Sequence, residues 1–160
     1  WAKFDVPGDK DLVAVSVHLR TGSAAKRQSE ARSLLARLRT VAGPDDLIAV
    51  GGDLNTGSFA EPTLGTLSAL VSDGAILPQD PAGNRNTNAS RKKPLDHVLL
   101  SAPLLAAQVP TVVGGLSFAG GLVFDTRRFP DVGNVPPARA SDSAAPAMQH
   151  MAVVRDVAIN

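Results

Sequence analysis

The chain has 160 residues, 44% of them hydrophobic, with 16 Lys plus Arg against 15 Asp plus Glu and a formal charge of +1. That is enough apolar content for one domain with a sizeable core and excludes a disordered chain; the near-zero charge excludes a protein that coats nucleic acid through bulk charge alone. There is no cysteine, which removes disulfides, thiolate metal sites and cysteine nucleophiles, and no apolar run approaches the roughly 20 residues of a membrane-spanning helix. The first residues, Trp1-Ala-Lys-Phe-Asp5, show neither an initiator methionine nor a signal peptide, so the chain reads as a processed product or a fragment of a longer one.

Trp1–Val6 and Leu12–Val17 read as strands joined by a turn at Pro7–Lys10. The nearly continuous apolar run Leu12–Leu19 suits a strand buried on both faces. Ser23 is placed to cap a helix running to about Val41, ended by Gly43-Pro44. Ala31, Leu34, Leu35 and Leu38 give that helix one buried face, and Lys26, Arg27, Arg32, Arg37 and Arg39 fall mostly off it as solubilising charges. Leu47–Gly51 is a short apolar strand ending in Gly52-Asp-Leu-Asn55. Ser58 with Glu61 resembles a capping box for a second helix, with Leu64, Leu67, Leu70 and Val71 buried and Gly74 at its end. Pro78–Pro94 reads as a long polar loop, Leu95–Leu100 as a strand, Val109–Val113 and Leu122–Phe124 as weaker strands. Residues 129–148, dense in Pro, Ala and Ser, read as an irregular loop, and His150–Ile159 as one closing strand. This order predicts a single α/β (α+β) domain over 1–160, with a mixed, largely antiparallel sheet and helices on one face.

Residues capable of chemistry stand at the ends of the apolar strands, where α/β folds place their sites: His18, Asp53, Asn55, Asp96 and His150. Asp53 and Asn55, two apart, project to one side in extended chain. There the carboxylate can accept a proton or bind a metal, and the carboxamide can donate to a phosphoryl oxygen. Gly51-Gly52 leaves room for a substrate. The same tetrapeptide also fits a plain turn. His18 and His150, each taken alone, fit satisfied core histidines, and His97 should face away from Asp96 as a structural residue. Asp96 needs a partner if buried, and a histidine from another strand serves, because the carboxylate fixes its tautomer and raises its basicity. Arg91 and Arg20 are either solvated or phosphate-binding.

In their order, Val15–Leu19, Arg27–Leu34, Ile48–Asn55, Lys93–Leu100 and His150–Val153 resemble the endonuclease/exonuclease/phosphatase superfamily, which includes pancreatic-type deoxyribonucleases and inositol polyphosphate phosphatases. The resemblance implies hydrolysis of phosphoesters by in-line attack of water, assisted by Mg²⁺ or Mn²⁺. It implies that His18 contacts the scissile phosphate, that Asp53 positions or deprotonates the water, and that Asn55 helps hold the phosphate. It implies further that Asp96 orients His150, and that Asp53 and Asn55 serve the metal. Arg20 and Arg91 are the candidate substrate contacts.

Two departures bear on that expectation. The family fold is a four-layered sandwich of two packed sheets, and this chain resembles about its C-terminal half. The main metal-binding glutamate is therefore expected outside the chain, on a companion segment or second chain covering the sheet's apolar face. Family members also usually end in Ser-Asp-His, whereas here Gln149 precedes His150 and Ser141-Asp142 lies eight residues earlier. The alternatives are a phospholipase-like or small-phosphoester hydrolase, and a non-catalytic binding module keeping the scaffold.

Overall fold

The computed structural model describes residues 1–43 and 45–159; Pro44, half of the expected helix stop, lies outside them. Four strands form the main sheet in the order β1 (Ala2–Phe4), β2 (Leu12–His18), β3 (Leu47–Asp53), β4 (Asp96–Leu100). β1 and β4 run antiparallel to their neighbours, while β2 and β3 are parallel. The parallel pair needs a crossover, and α1 (Ala24–Leu38) supplies it. The fold is thus α+β, with a mixed sheet.

Alternation along the strands sets which side chains meet the helices. Val13, Ile48, Val50 and Leu99 are buried in one cluster with Ala31, Leu35 and Leu38 of α1 and with Leu67, Leu70 and Val71. The opposite face carries small side chains. Ala14, Ser16, Ala49, Gly51 and Val98 line an open groove of about 500 Å³ beside Trp1 and Phe4, both at least half exposed. The Leu12–Leu19 run is therefore covered on one face only, with Ser16 and His18 exposed on the other.

One ion pair departs from expectation in both helices. Ser23 caps α1 as expected, accepting from Lys26 N at 3.4 Å, and the helix ends at Leu38. Arg27, expected in solvent, is buried and forks onto Glu61, with Nε and Nη2 at 2.7 and 2.9 Å from the two carboxylate oxygens. Glu61 is thereby withdrawn from any capping box. The second helix, α2, is confined to Pro62–Leu67 and starts on the proline. Leu70 and Val71 stay buried beyond it, and Ser72 bridges to Leu100.

The rest of the chain is built from short pieces: α3 (Ala102–Ala106), β5 (Gln108–Val109), β6 (Thr111–Val113), β7 (Leu116–Phe118), β8 (Leu122–Phe124), β9 (Ala152–Val154) and β10 (Asp156–Val157). β6 pairs with β7, β8 with β9 and β5 with β10, all antiparallel. The expected closing strand is thus two. Arg155 between them sends its guanidinium to Asp73 O, Val98 O and Gln108 Oε1, and each half takes its own partner. A small second core joins Phe118, Leu122, Phe129 and Val132. Residues 129–148 contain two 3₁₀ turns, Val132–Asn134 and Asp142–Ala144. Among the described residues no helix is long and apolar enough to cross a membrane.

Candidate active site

Strand register builds the site. His18 lies beside Asp53 across β2–β3, and Asp53 lies beside Asp96 across β3–β4. Side chains in register on adjacent strands share a face. His18 is five residues from buried Val13, Asp53 five from Ile48, and Asp96 three from Leu99. All three therefore stand on the face away from α1 and α2, at one end of the sheet. His150 arrives from the far side through a bridge to Asn88.

The four side chains form a chain of contacts. His150 Nδ1 is 3.0 and 3.1 Å from the two oxygens of Asp96. His150 Nε2 is 3.9 Å from Asp53 Oδ2, and His18 Nε2 is 3.4 Å from the same oxygen. Asp53 and Asp96 are mostly buried, His150 is about one third exposed and His18 is open to solvent. With Asp96 accepting from Nδ1–H, His150 turns a free Nε2 towards Asp53.

Asn55 serves Asp53 more directly than expected. β3 ends at Asp53 and the chain turns, with Asn55 at φ 53°, a left-handed conformation asparagine tolerates. Its backbone N–H donates to Asp53 Oδ1 at 2.8 Å. Its amide NH₂ donates to Leu19 O at 2.9 Å and to Asp53 Oδ2 at 3.1 Å. Both amide hydrogens are thus engaged inside the protein, and Oδ1 is the atom left to meet a ligand. Gly52 is also reassigned. At φ +140° its missing Cβ would lie 2.0 Å from Val17 O, so the strand pairing, not substrate access, requires glycine there.

Among the described residues, Asp53 and Asp96 meet no Lys or Arg; their only charged partners are histidines. Two mostly buried carboxylates without a fixed cation suit a divalent ion. Asp53, Asp96 and His150 each offer a ligand atom within 4.8 Å of one another. This differs from the expected Asp53–Asn55 pair by drawing in the two residues across the sheet.

Other expected residues fall elsewhere. Arg91 is not at the site: its guanidinium is buried against Asp80 Oδ2 at 2.9 Å and Asp125 Oδ2 at 2.8 Å. A fork so engaged cannot also hold a phosphate. Arg20 is exposed two residues beyond His18, its backbone N–H donating to Glu30. His97 is buried on the helix side as expected, between Asp73 at 3.1 Å from Nδ1 and Thr56 Oγ1 at 2.8 Å from Nε2. Gln149 is exposed and offers its carbonyl to Ala89 N. Asp142 folds back on its own turn, accepting from Arg139 N.

Sequence reasoning passed over Thr87, Asp80 and Asp125, all buried. A lone Thr or Asp in a polar loop carries no periodic signal; its partners alone give it meaning. No protein-family model, curated protein or solved structure matches the chain.

Proposed function

We propose that the chain carries the phosphate-handling part of a divalent-metal-dependent phosphoester hydrolase, a nuclease or phosphodiesterase resembling the endonuclease/exonuclease/phosphatase superfamily. The observation that carries this reading is the contact chain Asp96–His150–Asp53–His18, gathered from four strands or strand ends at one end of the sheet. Water attacks phosphorus in line with the leaving oxygen. Asp53, fixed by Asn55 through two hydrogen bonds, orients the water and accepts its proton. The ester P–O bond breaks on the opposite side, the leaving oxygen takes a proton from solvent, and Asp53 afterwards returns its own to solvent. Asp96 holds His150 in the tautomer that turns an acceptor Nε2 into the site, and the exposed His18 offers a donor to the phosphoryl oxygens where negative charge builds. A Mg²⁺ or Mn²⁺ ion held by Asp53 with Asp96, His150 and Asn55 Oδ1 would supply further charge neutralisation there.

The reading includes a companion, as more of the same gene product or as a second chain, that brings the main glutamate ligand. The small-residue groove with exposed Trp1 and Phe4 on the site's own face supports it.

The test uses the full-length gene product with Mg²⁺ or Mn²⁺ on plasmid DNA and bis-p-nitrophenyl phosphate. Asp53→Ala and His150→Ala should each lower turnover by at least about 10²-fold. The 160-residue chain alone should be nearly inactive. Turnover unchanged in both variants would reduce the chain to a binding module with an idle site.

A further inference from the structure

We propose that Thr87 is a positioning residue for the Asp96–His150 pair, and that the buried Asp80–Arg91–Asp125 cluster acts on the pair through it. The geometric part stands on the hydrogen bonds alone; its consequence for turnover rests on the hydrolase reading above.

Asp96 and His150 are 54 positions apart, yet one residue ties the backbone at both. Thr87 is 1% exposed. Its Oγ1 accepts from Asp96 N at 2.8 Å, and its carbonyl accepts from Met151 N at 2.7 Å. Its own N–H donates to Lys93 O at 2.9 Å, and the next residue, Asn88, bridges His150. Thr87 therefore sets the spacing between the first residue of β4 and the segment that delivers His150. The two side chains need that spacing for the 3.0 Å Nδ1–carboxylate contact. Among the described residues no hydrogen bond joins the Thr87 side chain to Asp53, His18 or His150, so it acts through the backbone.

The loop holding Thr87 is in turn pinned by Arg91. Nε donates to Asn86 O at 2.7 Å, immediately before Thr87. Nη2 donates to Asp80 Oδ2 at 2.9 Å and Asn84 O at 3.2 Å, and Nη1 to Asp125 Oδ2 at 2.8 Å. Arg127 closes the cluster, forking onto Asp125 and reaching Ala89 O at 3.1 Å. Asp125 is fully buried and Asp80 nearly so. Buried forked pairs hold geometry more tightly than a solvated loop can. Catalytic groups need placement to about 0.5 Å, and a loop of polar residues has no apolar packing to supply it.

The chain has three histidines, so ring ¹⁵N NMR on the full chain reads the pair directly, with assignments from single His substitutions. Expected in the unaltered chain is His150 with its proton on Nδ1. Thr87→Val keeps the shape and loses the acceptor; His150 should shift towards the free-imidazole tautomer mixture while His97 stays fixed. Thr87→Ser should restore the original signals, and Arg91→Lys should shift them part of the way. In the full-length gene product, Thr87→Val should lower kcat on the order of 10²-fold with KM little changed. A folded Thr87→Val chain with unaltered His150 signals overturns the proposal. Should Thr87→Val not fold, amide exchange in the unaltered chain decides: Asp96 and Met151 amides must be protected together, and free exchange at either overturns it. Correct NMR and exchange without any hydrolysis would sink the hydrolase reading and leave the positioning intact.

Discussion

The two sides of the site are held together by different chemistry. The main sheet with α1 and α2 is an apolar assembly: Val13, Ala31, Leu35, Ile48, Val50, Leu67 and Leu99 share one buried cluster, and one ion pair, Arg27–Glu61, lies inside it. From Pro78 onwards the strands have two or three residues each, apart from β4, and the second cluster has four buried apolar residues. There the fixed points are ionic, with Asp125 taking both Arg91 and Arg127 and Asp80 taking Arg91 again. Short strands cannot bury enough apolar surface to hold a loop of polar residues, so directional, charged hydrogen bonds do it. His18, Asp53 and Asn55 stand on the apolar side, while His150 is delivered by the ionic one. The site's integrity therefore depends on two kinds of interaction that fail under different conditions.

Asp125→Ala is the strongest way to separate them. It takes the shared carboxylate from Arg91, which keeps Asp80, and from the partly exposed Arg127, and breaking a buried pair costs up to about 3–5 kcal/mol. Urea unfolding followed by amide NMR signals from each half should show loss of the second half ahead of the sheet. Leu99→Ala should cost about 2–5 kcal/mol through the cavity it leaves in the first core, and should melt both halves together, because β4 carries Asp96 and backs the sheet. A single coincident transition in Asp125→Ala would erase the distinction between the halves.

Acid should weaken both sides at once, through one carboxylate each. The hydrogen bond from Arg27 outweighs burial and holds Glu61 below its ordinary value. Burial pushes Asp125 up, and hydrogen bonds from Arg127 and Arg91 more than reverse it, so the net direction is again down. A folded-state value below the unfolded one means stabilisation that is present above the ordinary carboxylate range and lost as pH falls through the folded value. Urea midpoints should therefore be flat around neutrality and fall in acid. Glu61→Gln and Asp125→Asn should each start lower and lose part of that acid slope. A slope unchanged in both would show that neither pair governs acid stability.

The legibility of the sequence follows the same division. β2, β3 and β4 could be read because apolar runs bounded by turns have few other interpretations, and residues at their ends could be named as a site. Their register could not, since a cross-strand neighbour leaves no mark in a single chain; the row His18–Asp53–Asp96 exists only once the strands are paired. In sequence Arg91 reads as solvated or phosphate-binding and Arg27 as a solubilising charge. A basic residue looks the same in sequence whether it meets water or a carboxylate 34 positions away, as both of these do. The single closing strand failed for the same reason, because Arg155 finds its partners on three separate segments.

The smallest effect expected belongs to the feature easiest to read. Ser23 was visible as the N-cap of α1, and it does accept from Lys26 N, at a long 3.4 Å and in an exposed position. A cap of that length satisfies one amide that water can also reach, so Ser23→Ala should cost towards the low end of the usual range, about 0.5 kcal/mol. Arg27, one turn further along the same helix, carries the buried fork to Glu61 and also donates to Arg20 O. Through Glu61 it reaches the Gly57 amide, two residues past Asn55. It thus ties to the backbone just after His18 directly and to that just after Asn55 through Glu61, where the Ser23 side chain bonds an amide of its own helix. Urea unfolding of Ser23→Ala should accordingly shift the midpoint slightly with His18 and His150 ring signals unmoved. A loss above about 2 kcal/mol, beyond the range for a cap, would mean that α1 is held at its first turn and not by Arg27 and the apolar face behind it.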